Sequence, residues 1–527
     1  MALSRDVYRA FMDTVGPENI SEEPGVLDSY AYHYGAEATL GPGKKWLPRP
    51  EAVLLPNNTE EVQAIVKMCN RYRVKFKALS TGWGPWNAPG GPGVIQLDMR
   101  RMNRIVEINE KEMYAVVEPY VISAQLQAEL MKRGLNCNII GGGSNTTALT
   151  ATKFFGAGWQ GYTTGFEGRN LLATEWVLPT GEVLKLGSLG SGAGWFCSDG
   201  PGPSLRGAVR GMLSAFGGMG VFTKCATKVY PWPGPATLPV EGTTPWYTIK
   251  PMKWFKAWHL SFPFKDFANA GYKIAEAEIA YVFGKWPPYH VWWDLTTSNE
   301  EAMRLRKKLP YLDKVGSYLV IIGAQTQAEF DYKEKVLNLL IKETGAVSLD
   351  LLHGCDEQGH DMQGRTILHV IRASFHAGHA FRPTGSFHSS FGTLESIDLG
   401  VNQVVAENEI MKKHLQKGLI TDMGEETCWG IIYDGGHLCH MEGPIFGHPG
   451  AKGQKGIEDF TLDADKAAID AERKYHSAGA PLGIFRDARH EMFGPHMLNY
   501  HLWQRKLKKA FDPNNVSEST HYITPEE

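Results

Sequence analysis

The chain has 527 residues, with 54 Lys plus Arg against 57 Asp plus Glu and a formal charge of −3. Hydrophobic residues make up 43% and charged residues 21%, which excludes global disorder, a collagen-like chain and a disulfide scaffold. Near-neutral charge gives no electrostatic case for a nucleic acid or an anionic membrane, and the length suggests two to four domains. The first 45 residues read as a helical lead-in and a loop. Arg5, Asp6, Arg9 and Asp13 interrupt what would be the apolar stretch of a secretory signal. Ala52 to Leu55 is a short buried strand ending at Pro56. Thr59 caps the next helix, with Glu60 and Glu61 in its first turn and Val62, Ile65, Val66 and Cys69 on its apolar face. Val74 to Leu79 leads into a Gly/Pro loop from Ser80 to Gly93. Strands follow at Val94 to Leu97 and Ala115 to Val117. A helix from Ser123 to Arg133 stops at Gly134. Residues 138–235 are glycine-rich, with strands at Trp176 to Leu178 and Val183 to Leu186 joined by the turn Pro179-Thr180-Gly181-Glu182. The chain changes character after Pro235, gaining Trp, Tyr and His. A last helix, Asn499 to Phe511, ends at Asp512-Pro513-Asn514-Asn515.

This order predicts an α+β fold, divided as residues 1–240, 241–483 and 484–527. Seven scattered cysteines without a CxxC pair argue for a reducing compartment. No apolar run approaches the ~20 residues that span a bilayer. The expectation is a cytoplasmic protein.

The loop Ser80-Thr81-Gly82-Trp83-Gly84-Pro85-Trp86-Asn87 follows a strand. It offers hydroxyls and backbone N–H groups on a chain free to approach a ligand closely. It is neither a GxGxxG opening a helix nor a P-loop, so on composition a plain surface loop fits as well as a phosphate cradle. The surroundings extend the pattern: Val94 to Ile105, Val116 to Val121, Asp199 to Pro203, Gly217 to Lys224, and Asp512 to Val516. In this order the chain resembles the FAD-linked oxidoreductases of the vanillyl-alcohol oxidase and p-cresol methylhydroxylase family. It shares much of the pattern with glycolate and D-lactate dehydrogenases. The resemblance is strong over residues 50–235, moderate over the last 45 and faint between.

The resemblance implies a PCMH-type FAD-binding domain of two α+β subdomains, closed by the C-terminal segment, and an α+β cap domain over the flavin. It places the FAD pyrophosphate on Ser80 to Asn87 and the flavin ring near Gly142, Gly143 and Ser144. Backbone groups of Gly220, Val221 and Thr223 would hold the adenosine side or the flavin pyrimidine. Arg486 falls where the family has an active-site arginine, suited to a phenolate or carboxylate. Glu167 falls where an aspartate lies near flavin N5. His437 falls near a cap residue that bonds covalently to flavin. The attachment histidine of berberine-bridge-type relatives is absent from the first loop, which carries Trp83 and Trp86. Two tyrosines that pin a phenolate are also missing: Phe485 precedes Arg486, and Pro85 and Trp86 occupy the other place. Tyr162, Tyr433 or a histidine are the candidate substitutes.

Fifteen of the 18 histidines lie between His353 and His521. Tyr433 to Glu442 holds the densest cluster. On a strand, His440 and Glu442 share one face and His437 and Cys439 the other. His440 and Glu442 suit a proton-transfer pair or two metal ligands. His376, His379 and His388 are further candidates, with Trp292, Trp293 and Trp429 for an apolar pocket. The expected function is FAD-dependent oxidation of an alcohol or activated C–H bond of an aromatic or apolar substrate. Hydride goes to flavin N5, and electrons then pass to O2 or a protein acceptor. The alternatives are a 2-hydroxy-acid dehydrogenase with a metal near His440, or a non-catalytic flavin fold. A homodimer or larger homo-oligomer is expected.

Overall fold

The structure is a computed structural model. It describes the chain except residues 1–2, 41–43, 154–156, 189–191, 193, 196–203, 210–214, 244–245, 288–291, 293–295, 297, 309–315, 350–353, 355–358, 360, 374–388, 423–427, 447–450 and 476–485. His376, His379, His388, Trp293 and Phe485 lie outside the described residues, as does the side chain of Glu167.

Residues 20–98 build a four-stranded sheet in the order Ile20–Ser21, Val53–Leu54, Val94–Asp98, Lys75–Leu79. The last three strands run parallel. The helix Thr59–Tyr72 makes the crossover, burying Val62, Ile65, Val66 and Cys69 as its periodicity predicts. Its cap differs from expectation. Asn58, one residue earlier, accepts from the Glu61 N–H at 2.8 Å. Thr59 instead donates to Glu175 Oε1 at 2.7 Å, joining the helix to the next sheet. That second sheet has five antiparallel strands: Ile105–Asn109, Tyr114–Val117, Val221–Lys228, Leu171–Val177 and Val183–Leu186.

A third sheet has seven antiparallel strands, in the order Val347–Leu349, Phe255–Phe262, Gly316–Gly323, Val282–Lys285, Trp429–Tyr433, Leu438–Ile445, Ser389–Glu395. Gly316–Gly323 is buried along its whole length. Its residues reach two separate cores: Tyr318, Val320 and Ile322 pack with the helix Phe267–Glu276, while Leu319 and Ile321 pack with Trp159, Trp286 and Ile431. Burial on both faces explains why such strands read as continuous apolar runs rather than alternating ones. The face holding Leu319 and Ile321 turns toward Trp159, Phe166 and Trp232 of the first half of the chain.

Buried amides fasten the two halves. Gln127 and Gln160 both donate to Ile371 O at 2.8 Å. Asn136 Nδ2 reaches the Tyr281 hydroxyl at 2.7 Å.

The C-terminal segment returns to the first sheet. Phe76 N donates to Val516 O, and Glu518 N donates to Phe76 O, each at 2.9 Å. Asp512 explains the Asp-Pro-Asn-Asn signal. Its carboxylate accepts from Val516 N and Ser517 N at 3.0 Å and pairs with buried Lys508 at 2.5 Å, so it locks the turn after the last helix. Among the described residues no helix is long and apolar enough to cross a membrane.

Candidate active site

The strand Lys75–Leu79 delivers the loop Ser80–Asn87 to one wall of a cleft. The opposite walls are the helix Ala148–Lys153 and residues 215–222. His33 Nε2 donates to Gly82 O at 2.8 Å and braces the loop from behind. Three hydroxyls line the cleft and touch one another. Thr147 Oγ1 donates to Thr150 Oγ1 at 2.8 Å and lies 3.3 Å from Ser80 Oγ, which is 3.4 Å from Thr150 Oγ1. The remaining surface is largely apolar, with Leu79, Trp83, Trp86, Met99, Phe216, Met219 and Phe222 among it.

Ser80, Thr81, Trp83, Gly84, Trp86, Asn87, Gly220 and Val221 of the sequence candidates line this cleft. Gly82 and Pro85 belong to the same loop without lining it. Gly220 needs to be glycine: φ is +86°, and an added Cβ would stand 2.3 Å from Val177 O. Its N–H is already taken by Ser517 Oγ at 2.8 Å, so it shapes the wall rather than donating to a ligand. Gly142 packs against the Trp83 indole, where a Cβ would come within 2.9 Å. Gly143 and Ser144 form the turn behind it: Gly143 O accepts from Thr146 Oγ1 at 2.9 Å, and Ser144 O accepts from Ala124 N at 3.0 Å. Thr223 is fully buried and does not line the cleft; its hydroxyl donates to Glu175 Oε1 at 3.0 Å at the sheet–helix junction.

Lys153 was missed. Its side chain is buried, its Nζ lies 3.8 Å from the centre of the Phe222 ring, and it has no hydrogen-bond partner among the described residues. Among the described lining residues it is the only ionisable one. Burial pushes the ammonium down to about 7. A signal was available: Thr147, Thr150 and Lys153 recur every three residues, placing hydroxyls and amine on neighbouring turns of one helical face.

The second group of candidates sits on the seven-stranded sheet. His440 and Glu442 share a strand face, as the alternation predicts, and His440 Nε2 lies 3.2 Å from Glu442 Oε2. Cys439 and Met441 point to the opposite core. The Trp429 ring stands edge-on to His440 at 5.1 Å and contacts Trp159 at 5.3 Å. Trp159 continues to Trp286 at 5.5 Å and His369 at 6.1 Å. His259 faces the same group, 6.3 Å from Trp286. Burial pushes its pKa down to about 4, so it is neutral, and its Nε2 has no hydrogen-bond partner among the described residues.

The two regions meet. A Cβ on Gly141 would lie 3.4 Å from the Trp429 ring, and Gly142 follows against Trp83 in the cleft wall. Gly158 makes this junction, through the bridge between Ile140 and Gly158 and the Gly141 N to Ala157 O bond of 2.6 Å. A methyl at Gly158 would stand 1.9 Å from Asn138 Oδ1 and 2.4 Å from Ile139 O. G158A is expected to lower stability by about 1–3 kcal/mol or more, read as a lower melting temperature.

Other predicted residues lie apart. Tyr433 is buried against Gly161 and stands 5.5 Å, edge-on, from Phe166, a packing position between the two halves. His437 is exposed after the turn Asp434–Gly436 and does not line the cleft. Arg486 is exposed at φ +66°, opens the helix Arg486–Phe493, and does not line the cleft; its charge acts on His521.

A dinucleotide suits the cleft on its own chemistry. Hydroxyls and a close-approach loop face a polar linker, apolar and aromatic walls face rings, and a buried ammonium awaits an anion. A family profile described as an FAD binding domain matches residues 50–187. In sequence the chain is 26% identical over 244 residues to a glycolate oxidase subunit of Bacillus subtilis (strain 168), covering 44% of this chain and 46% of that one. The chain thus matches less than half the length of that relative. In structure it is similar to 4-ethylphenol oxidase from Gulosibacter chungangensis, at a TM-score of 0.71 and 18% identity over 99% of this chain and 98% of that one. It is similar to p-cresol methylhydroxylase at the same TM-score, 16% identity and the same coverage. FAD is the cofactor, carried by an FAD binding domain over residues 50–187, and the chain has the fold of 4-ethylphenol oxidase and p-cresol methylhydroxylase.

Proposed function

We propose that the chain oxidises an alcohol or an activated C–H bond of an aromatic or apolar substrate at the face between Gly141 and His440. The observation that carries this reading is the Trp429 ring, which touches both the Gly141 turn and the His440–Glu442 pair. When bound, FAD supplies a hydride acceptor. Trp159, Trp286 and Trp429 give the substrate an apolar, water-excluding wall. His440 and Glu442 accept the proton lost from the substrate and hold it between Nε2 and Oε2. His259, neutral, with one ring N–H on the Trp286 carbonyl and Nε2 open, can accept a hydrogen bond from a substrate hydroxyl. The serines and threonines of the cleft orient the cofactor rather than react.

A hydroxy-acid substrate is the second reading. Buried Arg365 lies one helical turn from His369, bringing a guanidinium that suits a carboxylate to the helix beside the same face. The discriminating experiment is anaerobic mixing of the purified yellow protein with benzylic alcohols and 4-alkylphenols in one series and 2-hydroxy acids in another. Bleaching of the flavin band near about 450 nm by the first series supports the main reading; bleaching only by the second replaces it.

The exposed position of His437 supports non-covalent FAD. Acid precipitation is expected to release the yellow colour into the supernatant. Colour retained in the pellet would restore the covalent link.

A further inference from the structure

We propose that Lys153 is the counter-charge for the FAD diphosphate, holding the cofactor's linker against the hydroxyl wall of the cleft. Lysine is almost never fully buried unless paired, yet this one has no hydrogen-bond partner among the described residues. Its long stem lies along Phe222, with the ammonium over the ring face. An aromatic face softens the cost of burying the charge but does not replace a hydrogen-bonded anion. Among the described residues the lining brings no carboxylate: the loop Ser80–Asn87 and residues 215–222 contribute hydroxyl, amide, aromatic and apolar groups. Among the described residues, the buried thiol of Cys225 on the neighbouring strand is the titratable group that acts on Lys153.

Position favours the diphosphate over the flavin ring. The Gly141–Gly143 turn, next to Trp83 and Trp429, begins the segment that leads to the helix Ala148–Lys153. Lys153 is at the far end of that helix from the turn. Between them lie Thr147 and Thr150, which meet Ser80 of the first loop. The ammonium therefore extends the polar wall away from the ring end.

A proton follows the cofactor. With an ammonium near 7 in the cofactor-free cleft, a bound anion raises the proton affinity, so binding takes up a proton at neutral and alkaline pH. FAD affinity then falls as pH rises from about 6 to 9.

The test is titration of deflavinated protein with FAD, ADP and riboflavin, followed by fluorescence or calorimetry, for the native chain, Lys153→Met and Lys153→Arg. ADP carries the diphosphate without the ring, and riboflavin the ring without the diphosphate. In Lys153→Met, FAD and ADP are expected to bind about 10- to 100-fold more weakly, with riboflavin little changed and the pH dependence flattened. Lys153→Arg is expected to restore much of the ADP affinity. Cofactor-free Lys153→Met is expected to melt no lower than the native chain, because it loses a buried charge without a counter-ion. Unchanged FAD and ADP binding overturns the proposal. So does a loss confined to riboflavin, which would assign Lys153 to the ring. A cofactor-free variant that melts lower while all three ligands weaken would assign it a structural role.

Discussion

Lys77→Met is expected to destabilise the fold by about 3–5 kcal/mol and to lower the temperature at which flavin is released. Lys77 is fully buried in the strand that leads into the cofactor loop, with Nζ 2.7 Å from Glu518 Oε2. The partner lies on the C-terminal segment, which also holds the opposite wall: Ser517 Oγ donates to Gly217 O at 2.7 Å and accepts from Gly220 N. One ion pair thus joins two walls of the cleft. Burial lowers the Lys77 ammonium against the pull of Glu518. Burial also works to raise Glu518, but Lys77 and Thr520 overcome it and bring the carboxyl to about 2. The opposing shifts mean that the intact pair contributes little net stability. The cost of the single substitution is the uncompensated carboxylate left behind. A double variant, Lys77→Met with Glu518→Leu, is therefore expected to recover most of the loss, since apolar replacement of a buried pair is close to neutral. Glu518's depressed value contributes stability that is full above its ordinary value of 4.5 and is lost as pH falls from there toward 2. Thermal melts across that window should show an acid lability that the double variant lacks. A single variant within about 1 kcal/mol of the native chain, well short of a broken buried pair, would show that the pair does not hold the C-terminal segment to the first sheet.

Short-range order was readable where local chemistry decides it. The strand Val183–Leu186 and the helix beginning at Ser123 occur where alternation, periodicity and a following glycine place them. Asn58 took the cap expected of Thr59 because Thr59's hydroxyl is used by Glu175, 116 residues away. No local rule contains that partner. The same carboxylate also takes the Thr223 hydroxyl. The strand alternation at His440 and Glu442 was visible, but its meaning depended on Trp159 and Trp286, which join that face from distant segments. Arg486 was assigned by position in a motif, and its exposure depends on how the returning segment packs. Lys153 had a three-residue spacing to mark it, but a lysine after threonines reads as a solvated helix end. Only burial against Phe222 distinguishes it.

Substituting His440→Asn or Glu442→Gln is expected to slow flavin reduction by substrate by about 10²- to 10⁴-fold, the range for losing a positioned acid or base. Neither residue lines the cofactor cleft, so FAD content and the flavin spectrum should stay native. The two residues are joined by one contact of 3.2 Å and should act as a unit. The double variant is therefore expected to be little slower than the worse single variant, because groups that share a proton do not contribute independently. His440 is fully buried against Trp429, which fixes the imidazole through packing as well as through Glu442. His440→Asn keeps a polar group at the site but cannot hold a proton at neutral pH. Glu442→Gln preserves shape while removing the charge that would stabilise an imidazolium. Rapid-mixing reduction under anaerobic conditions isolates this step from reoxidation. A merely structural role would lower thermal stability or flavin content and leave the reduction rate within a few-fold of native. That outcome would move the chemistry elsewhere on the sheet, with His259 and its open Nε2 the next position to substitute.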